Sequence, residues 1–226
     1  MKRIAIYLLF VSFAASACAG PAKKDTAKYV EVNTNFGTIV LMLSDSTPLH
    51  RDNFVKLVED GIYDSLLFHR VINNFMIQGG DPNSKNAKAG IPLGSGSVGE
   101  KIPAEFNSNL IHKKGALAAA RDNNPKKSSS SCQFYIVHGQ PLSDDQINQI
   151  QTKNGIIYTV DQREIYKTIG GTAFLDQNYT VFGEVVHGMD VIDEIVKVKC
   201  DRRDRPIENV VMEMEMIKRY KAKKYE

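Results

Sequence analysis

The feature that most narrows the possible folds is a succession of short β-forming runs whose connectors leave no room for repeated crossover helices. Tyr29-Val30-Glu31-Val32 and the run Thr38 to Leu43 flank Asn33-Thr34-Asn35-Phe36-Gly37, a hairpin signature. Apolar runs follow at Leu66 to Gly80, Gly115 to Ala120, Gln133 to Val137 and Thr180 to Val186, and Val211 to Ile217 alternates Met with Glu like a half-buried strand. Asp81 to Gly99 and Asp122 to Ser131, rich in Gly, Pro, Asn and Ser, read as exposed loops. Helical period is found outside them. Thr47 and Pro48 open a helix with Phe54, Leu57 and Val58 on one face and Gly61 as its stop, and Met189 to Val198 turns Val191, Ile192, Ile195 and Val196 inward. Strands without crossovers predict a mainly β chain with an antiparallel sheet, and closure into a barrel would remove its edges.

The amino terminus obeys a different rule. Lys2 and Arg3 precede an apolar run from Ile4 to Ala17, the layout of a secretory signal peptide over residues 1–17. The run falls short of the ~20 residues that cross a bilayer as a helix. Ala15-Ser16-Ala17-Cys18 resembles the lipobox of bacterial lipoproteins, although the usual leucine is absent at Ala15. That resemblance implies a lipid on Cys18, residues 18–28 as a flexible tether, and a chain anchored in a bacterial cell envelope, facing the periplasm. An ordinary signal peptide cut near Ala17 or Ala19 is the alternative. Cys132 and Cys200 could form one disulfide in such a compartment or remain two buried thiols, and the sequence leaves both open.

The chain carries 29 Lys and Arg against 26 Asp and Glu, a net charge of +3, too even a balance to propose a nucleic-acid partner. The basic run from Lys218, including the tail 221–226, reads as solvated. His50, His69, His112, His138 and His187 lack the spacing of a metal site, so neither a metal nor a cofactor is expected; His69 reads as scaffolding.

The stretch Phe68-His69-Arg70-Val71-Ile72-Asn73-Asn74-Phe75-Met76-Ile77-Gln78-Gly79-Gly80-Asp81 resembles the cyclophilin signature almost residue for residue. Gly115 to Arg121, Ser131 to Ile136, and Phe174-Leu175-Asp176 through Val181-Phe182-Gly183 resemble further cyclophilin blocks in the family's order. The resemblance covers most of residues 29–220. It implies an eight-stranded antiparallel β-barrel capped by two α-helices, and peptidyl-prolyl cis-trans isomerase activity on proline-containing segments of unfolded or exported proteins, by a monomer.

The same resemblance implies the site. Arg70 would be the catalytic cation, with Gln78 orienting it, and Gln133 would bind the substrate backbone. Phe75, Met76, Tyr135 and Leu175 would wall an apolar proline pocket, and Ala120 and Arg121 would offer main-chain contacts. Phe174 stands where many members carry tryptophan, Tyr179 where they carry histidine, Tyr135 where phenylalanine is usual and Arg121 where asparagine is common; all four keep an aromatic or hydrogen-bonding body at the substrate site. Physically, a fixed guanidinium suits a prolyl nitrogen that regains its lone pair on rotation. The rival reading is a proline-peptide binding module or chaperone without significant turnover.

Against the family pattern, residues about 139–173 are an insertion. Ser143, Asp144 and Asp145 can start a helix bearing Ile147 and Ile150, and Gln162 to Ile169 suggests another with Ile165, Tyr166 and Ile169 inward. Because its ends flank the segments carrying Tyr135 and Phe174, the insertion is expected to shape access to the pocket, or else to be a peripheral decoration.

Overall fold

The computed structural model describes residues 27–222 and 224. The segment expected to be a signal peptide, Cys18 and the expected tether up to residue 26 lie outside the described residues. In chain order the elements are β1 (Lys28–Thr34), β2 (Gly37–Leu43), α1 (Pro48–Glu59), β3 (Leu66–Leu67), β4 (Arg70–Ile72), β5 (Met76–Gly79), β6 (Ala116–Ala119), β7 (Phe134–Val137), α2 (Asp144–Asn154), α3 (Val160–Thr168), β8 (Val181–His187), α4 (Met189–Ile195), β9 (Val211–Ile217) and α5 (Arg219–Ala222).

All nine described strands pair antiparallel in one sheet, ordered β3-β9-β1-β2-β8-β6-β7-β5-β4. The two edge strands, β3 and β4, are separated in the chain only by Phe68 and His69. One bent run therefore joins both edges and curls the sheet round on itself, with Phe68 N–H on Val210 O at 2.9 Å and Val71 N–H on Asp204 O at 2.9 Å holding the bend. The expected eight strands become nine because that run breaks at the bend.

Side-chain alternation sorts the sheet into two faces. Val71, Ile77, Leu117, Ala119, Phe134 and Ile136 point into the main core, where Phe54 of α1 lies 5.1 Å from Tyr63 and 5.3 Å from Phe182, ring centre to ring centre. Their sequence neighbours Met76, Ala116, Ala118, Ala120, Tyr135 and Val137 point out and form a second apolar cluster with Leu175 and Val181. That outer face carries the site.

The helix α1 departs from expectation at its start. Thr47 makes no side-chain cap, and its buried hydroxyl has no hydrogen-bond partner. Instead the Glu105 carboxylate, over fifty residues away, accepts the free N–H groups of Leu49 at 3.0 Å and His50 at 2.9 Å, along with His50 Nδ1 at 2.7 Å. At the other end Gly61 takes φ +66°, and its N–H and that of Ile62 return to Val58 and Leu57 as the expected left-handed stop. The helix expected at Met189 to Val198 is the shorter α4. The small α5 was not anticipated, since its residues read only as a basic run.

The insertion is ordered, with a core of its own. Ser143 and Gln146 form a reciprocal capping box on α2, and Thr159 with Gln162 does the same on α3, which begins two residues before the expected start. Ile147, Tyr158 and Tyr166 are buried together with Ile111 and Ala173 of the barrel side, and Leu142, Ile150, Ile156 and Ile165 pack around them. Ile169, expected inward, is half exposed because α3 ends one residue earlier. The stem is pinched shut: Gly171 N–H donates to Gln140 O at 3.1 Å, Thr172 N–H to His112 O at 2.8 Å and Lys114 N–H to Gly170 O at 2.9 Å. Gly139 sits at φ +61°, and a Cβ there would lie 2.5 Å from Gly171 Cα, so the crossing needs glycine.

Cys132 and Cys200 are both free thiols. Among the described residues no helix is long and apolar enough to cross a membrane.

Candidate active site

Antiparallel register builds the first wall. Arg70 on β4 faces Gln78 on β5, and Gln78 faces Tyr135 on β7, so alternation brings all three to the outer face. A cavity of about 110 Å³ opens there, lined by Arg70, Phe75, Met76, Gln78, Ala120, Arg121, Tyr135, Leu175 and Tyr179. A proline ring is small enough to fill an apolar hollow of that kind. Gln133 and Phe174, also expected at the site, are its neighbours: Gln133 lines an adjoining polar groove of about 260 Å³ that shares Gln78, Ala120 and Arg121, and Phe174 forms the rim, 52% exposed, with its ring stacked on Phe75 at 5.8 Å.

One expected contact is not made. Gln78 does not hold Arg70. Its amide donates to Gln133 Oε1 at 3.1 Å, and Gln133 in turn donates to the carbonyls of Gly94 at 3.0 Å and Gly96 at 2.8 Å. The guanidinium leans instead toward Asp204, whose Oδ2 lies 3.4 Å from Nε, and toward the Phe75 ring, 5.9 Å from Cζ. Asp204 is placed by a left-handed backbone (φ +61°) and by its carbonyl's bond from Val71 N–H; nothing in its sequence context marked it. The Arg70 side chain stays 41% exposed, free to meet a substrate. The main chain of Ala120 is partly engaged: its N–H donates to Gln133 O and its carbonyl accepts from Ser130 N–H. Only that carbonyl's second lone pair is left for a bound chain.

His69, beside Arg70, is buried, and neither ring nitrogen has a hydrogen bond of ordinary geometry. Burial lowers its pKa to about 4, against the opposing pull of Asp81. The ring next to the guanidinium is therefore uncharged at neutral pH.

The second wall is assembled from distant parts of the chain. Tyr135, Leu175 and Tyr179 close the cavity, and Tyr135 is buried. Its hydroxyl lies 3.0 Å from His112 Nε2, and the two rings stack at 6.0 Å and 13°. Tyr179 meets Tyr135 edge-on at 6.0 Å, and the Arg121 guanidinium lies over Tyr179 at 4.6 Å while its Nε donates to Asn178 O at 2.9 Å.

Comparison with known proteins decides the family. A family model described as cyclophilin type peptidyl-prolyl cis-trans isomerase/CLD matches residues 29–216. A Staphylococcus aureus (strain USA300) protein named "Putative peptidyl-prolyl cis-trans isomerase" is 34% identical over 186 residues, 81% of this chain and 88% of its own. A Staphylococcus haemolyticus (strain JCSC1435) protein of the same name is 32% identical over 192 residues, covering 84% of this chain and 91% of that protein. This chain belongs to the cyclophilins.

Among solved structures, a Cryptosporidium parvum cyclophilin type isomerase superposes with a TM-score of 0.62 at 20% identity, over 85% of this chain and 98% of that one. A second structure of it, in the presence of the dipeptide Ala-Pro, gives 0.61 at 20% identity, over 84% of this chain and 99% of that one. At that identity the likeness is one of fold: the curled, mainly β cyclophilin architecture. Within the cyclophilin frame, three of the four departures from the family pattern, Arg121, Tyr179 and Tyr135, touch in series, the guanidinium over one ring and that ring edge-on to the next. They end on His112, which the sequence reading left without a role.

Proposed function

We propose that this cyclophilin accelerates X-Pro isomerisation in exported proteins from a membrane anchor at Cys18, with Arg70 stabilising the twisted imide. The observation that carries the catalytic reading is the exposed Arg70 guanidinium at the edge of an apolar cavity of proline size. An X-Pro bond turns over in tens to hundreds of seconds unaided, because resonance gives C–N partial double-bond character. At the rotated geometry the prolyl nitrogen regains a lone pair, and a cationic donor held there favours that state over the planar one. Phe75, Met76, Tyr135 and Leu175 offer the ring apolar and aromatic surface, and the Cryptosporidium parvum protein has been crystallised in the presence of a proline-containing dipeptide. The Gln78 and Gln133 amides line the groove that would take the flanking peptide. No nucleophile, metal or general base is required, since no bond to an outside group forms or breaks.

The cellular role rests on sequence alone: the signal-like residues 1–17 and the lipobox-like Ala15 to Cys18. Slow prolyl isomerisation limits the folding of many chains, which gives an exported isomerase its use.

The test is isomerisation of proline tetrapeptides by the purified full chain. A large acceleration that falls about 10²- to 10³-fold in kcat/KM in Arg70→Ala, with folding intact, is expected. A folded wild type without acceleration would instead indicate a binding module. For the anchor, cells expressing the chain and fed labelled palmitate should yield a labelled protein whose label disappears in Cys18→Ser; an unlabelled wild type overturns the lipid assignment.

A further inference from the structure

The inserted segment reaches the pocket through a continuous buried chain of hydrogen bonds. Asp176, next to Leu175, is buried, and its carboxylate is fully occupied. One oxygen accepts from the His112 backbone N–H at 2.8 Å and meets His112 Nδ1 at 2.7 Å. The other accepts from the hydroxyl of Tyr158 at 2.7 Å and that of Tyr166 at 2.5 Å. Four donors on two oxygens exhaust the lone pairs of a carboxylate.

The proton positions follow from this arrangement. Burial, and then the Asp176 charge, raise the pKa of both inserted tyrosines, so they remain donors. His112 Nδ1 meets Asp176 and Nε2 meets the Tyr135 hydroxyl, so both ring nitrogens are engaged. The ring that walls the proline cavity is thus oriented by a histidine, the histidine by a carboxylate, and the carboxylate by two hydroxyls of the insertion.

We propose that Tyr158 and Tyr166 are positioning residues of the isomerase pocket, acting through Asp176 and His112 on Tyr135. The inference rests on reading that cavity as the proline site. It gives the insertion a specific task, and it accounts for a tyrosine at position 135, where only a hydroxyl can complete the chain.

The experiment uses the full chain and a proline tetrapeptide, with kcat and KM measured without a coupling protease and scaled to folded protein. Tyr166→Phe is expected to lower kcat/KM about three- to tenfold, mainly through KM, because Arg70 is untouched. Tyr158→Phe, which leaves one hydroxyl on the same oxygen, should act in the same direction and serves if Tyr166→Phe does not fold. In a Tyr135→Phe background, which lacks the last link, neither substitution should lower kcat/KM further. The low-field His112 Nδ1–H resonance of the wild type should shift in Tyr166→Phe. An active wild type whose tyrosine variants match it per folded molecule, or lose equally in both backgrounds, overturns this inference alone. A wild type that accelerates nothing overturns the isomerase reading as well.

Discussion

The two walls of the proline cavity are built by opposite means. Arg70, Met76 and Gln78 come from one short hairpin, β4 and β5, where antiparallel register sets them on the outer face, and Phe75 comes from the turn between the two strands. The other wall takes Tyr135 from β7, in register with Gln78, adds Leu175 and Tyr179 from further along the chain, and rests the Tyr135 hydroxyl on side chains at 112, 176, 158 and 166. Backbone pairing tolerates loss of a side chain, because its hydrogen bonds remain. A buried polar network does not, since each member removed leaves the others unsatisfied. The two walls should therefore fail differently: the first in catalysis, the second in stability as well.

Asp176→Ala is the harshest way to test that contrast. It leaves two buried tyrosine hydroxyls, a histidine N–H and a backbone N–H without their acceptor. The expected loss is about 3–5 kcal/mol of folding stability, or a fall in Tm on the order of 10 °C for a chain of this size. Arg70→Ala, by contrast, should change stability by less than about 1 kcal/mol, because its side chain is half exposed and its partner Asp204 is too. Thermal unfolding followed by circular dichroism compares the two directly. Equal melting temperatures for both variants would dissolve the distinction between the walls.

The same contrast explains what could be read in advance. The Phe68 to Asp81 motif is contiguous, so the resemblance it carries named Arg70, Phe75, Met76 and Gln78 from the sequence, while the division of that apolar run into β3, β4 and β5 was not legible. Strand positions were legible too, because period-two burial leaves a local trace, as in Val211 to Ile217. Asp204, His112, Asp176 and Tyr158 left no such trace, and Tyr166, placed by the helical period of its segment, left none of its role. Each acts on a partner distant in the chain, and a single buried histidine or tyrosine reads as ordinary core. Even where local signals were sound, long-range partners prevailed, as when Glu105 rather than Thr47 took the first N–H groups of α1.

The mildest test compares two buried histidines, one on each wall. His112 has every polar atom matched, whereas His69 has two ring nitrogens without hydrogen bonds and a pKa lowered to about 4 by burial. A histidine held neutral in the fold has less affinity for protons there than in the unfolded chain, where it titrates near 6.5. Its contribution is fully present above about pH 6.5 and is lost as pH falls toward about 4, below which both states are protonated. The shift amounts to about 3 kcal/mol over that window. His50 and His138, also lowered by burial, add to the slope with the same sign. The carboxylates held low, such as Asp144 and Asp201, begin to lose their contribution only near about pH 5 and below, so they add to the fall with the same sign at the acid end of the window and do so equally in wild type and variant. Urea unfolding between pH 7 and pH 4 should show stability falling with pH, and the fall should shrink markedly in His69→Gln whatever that variant's stability at pH 7. The slope is diagnostic because an uncharged amide cannot titrate, while a packing defect would lower the curve without tilting it. An unchanged slope in His69→Gln would mean that the histidine beside Arg70 finds a partner when protonated, and that the contiguous wall carries a polar support of its own.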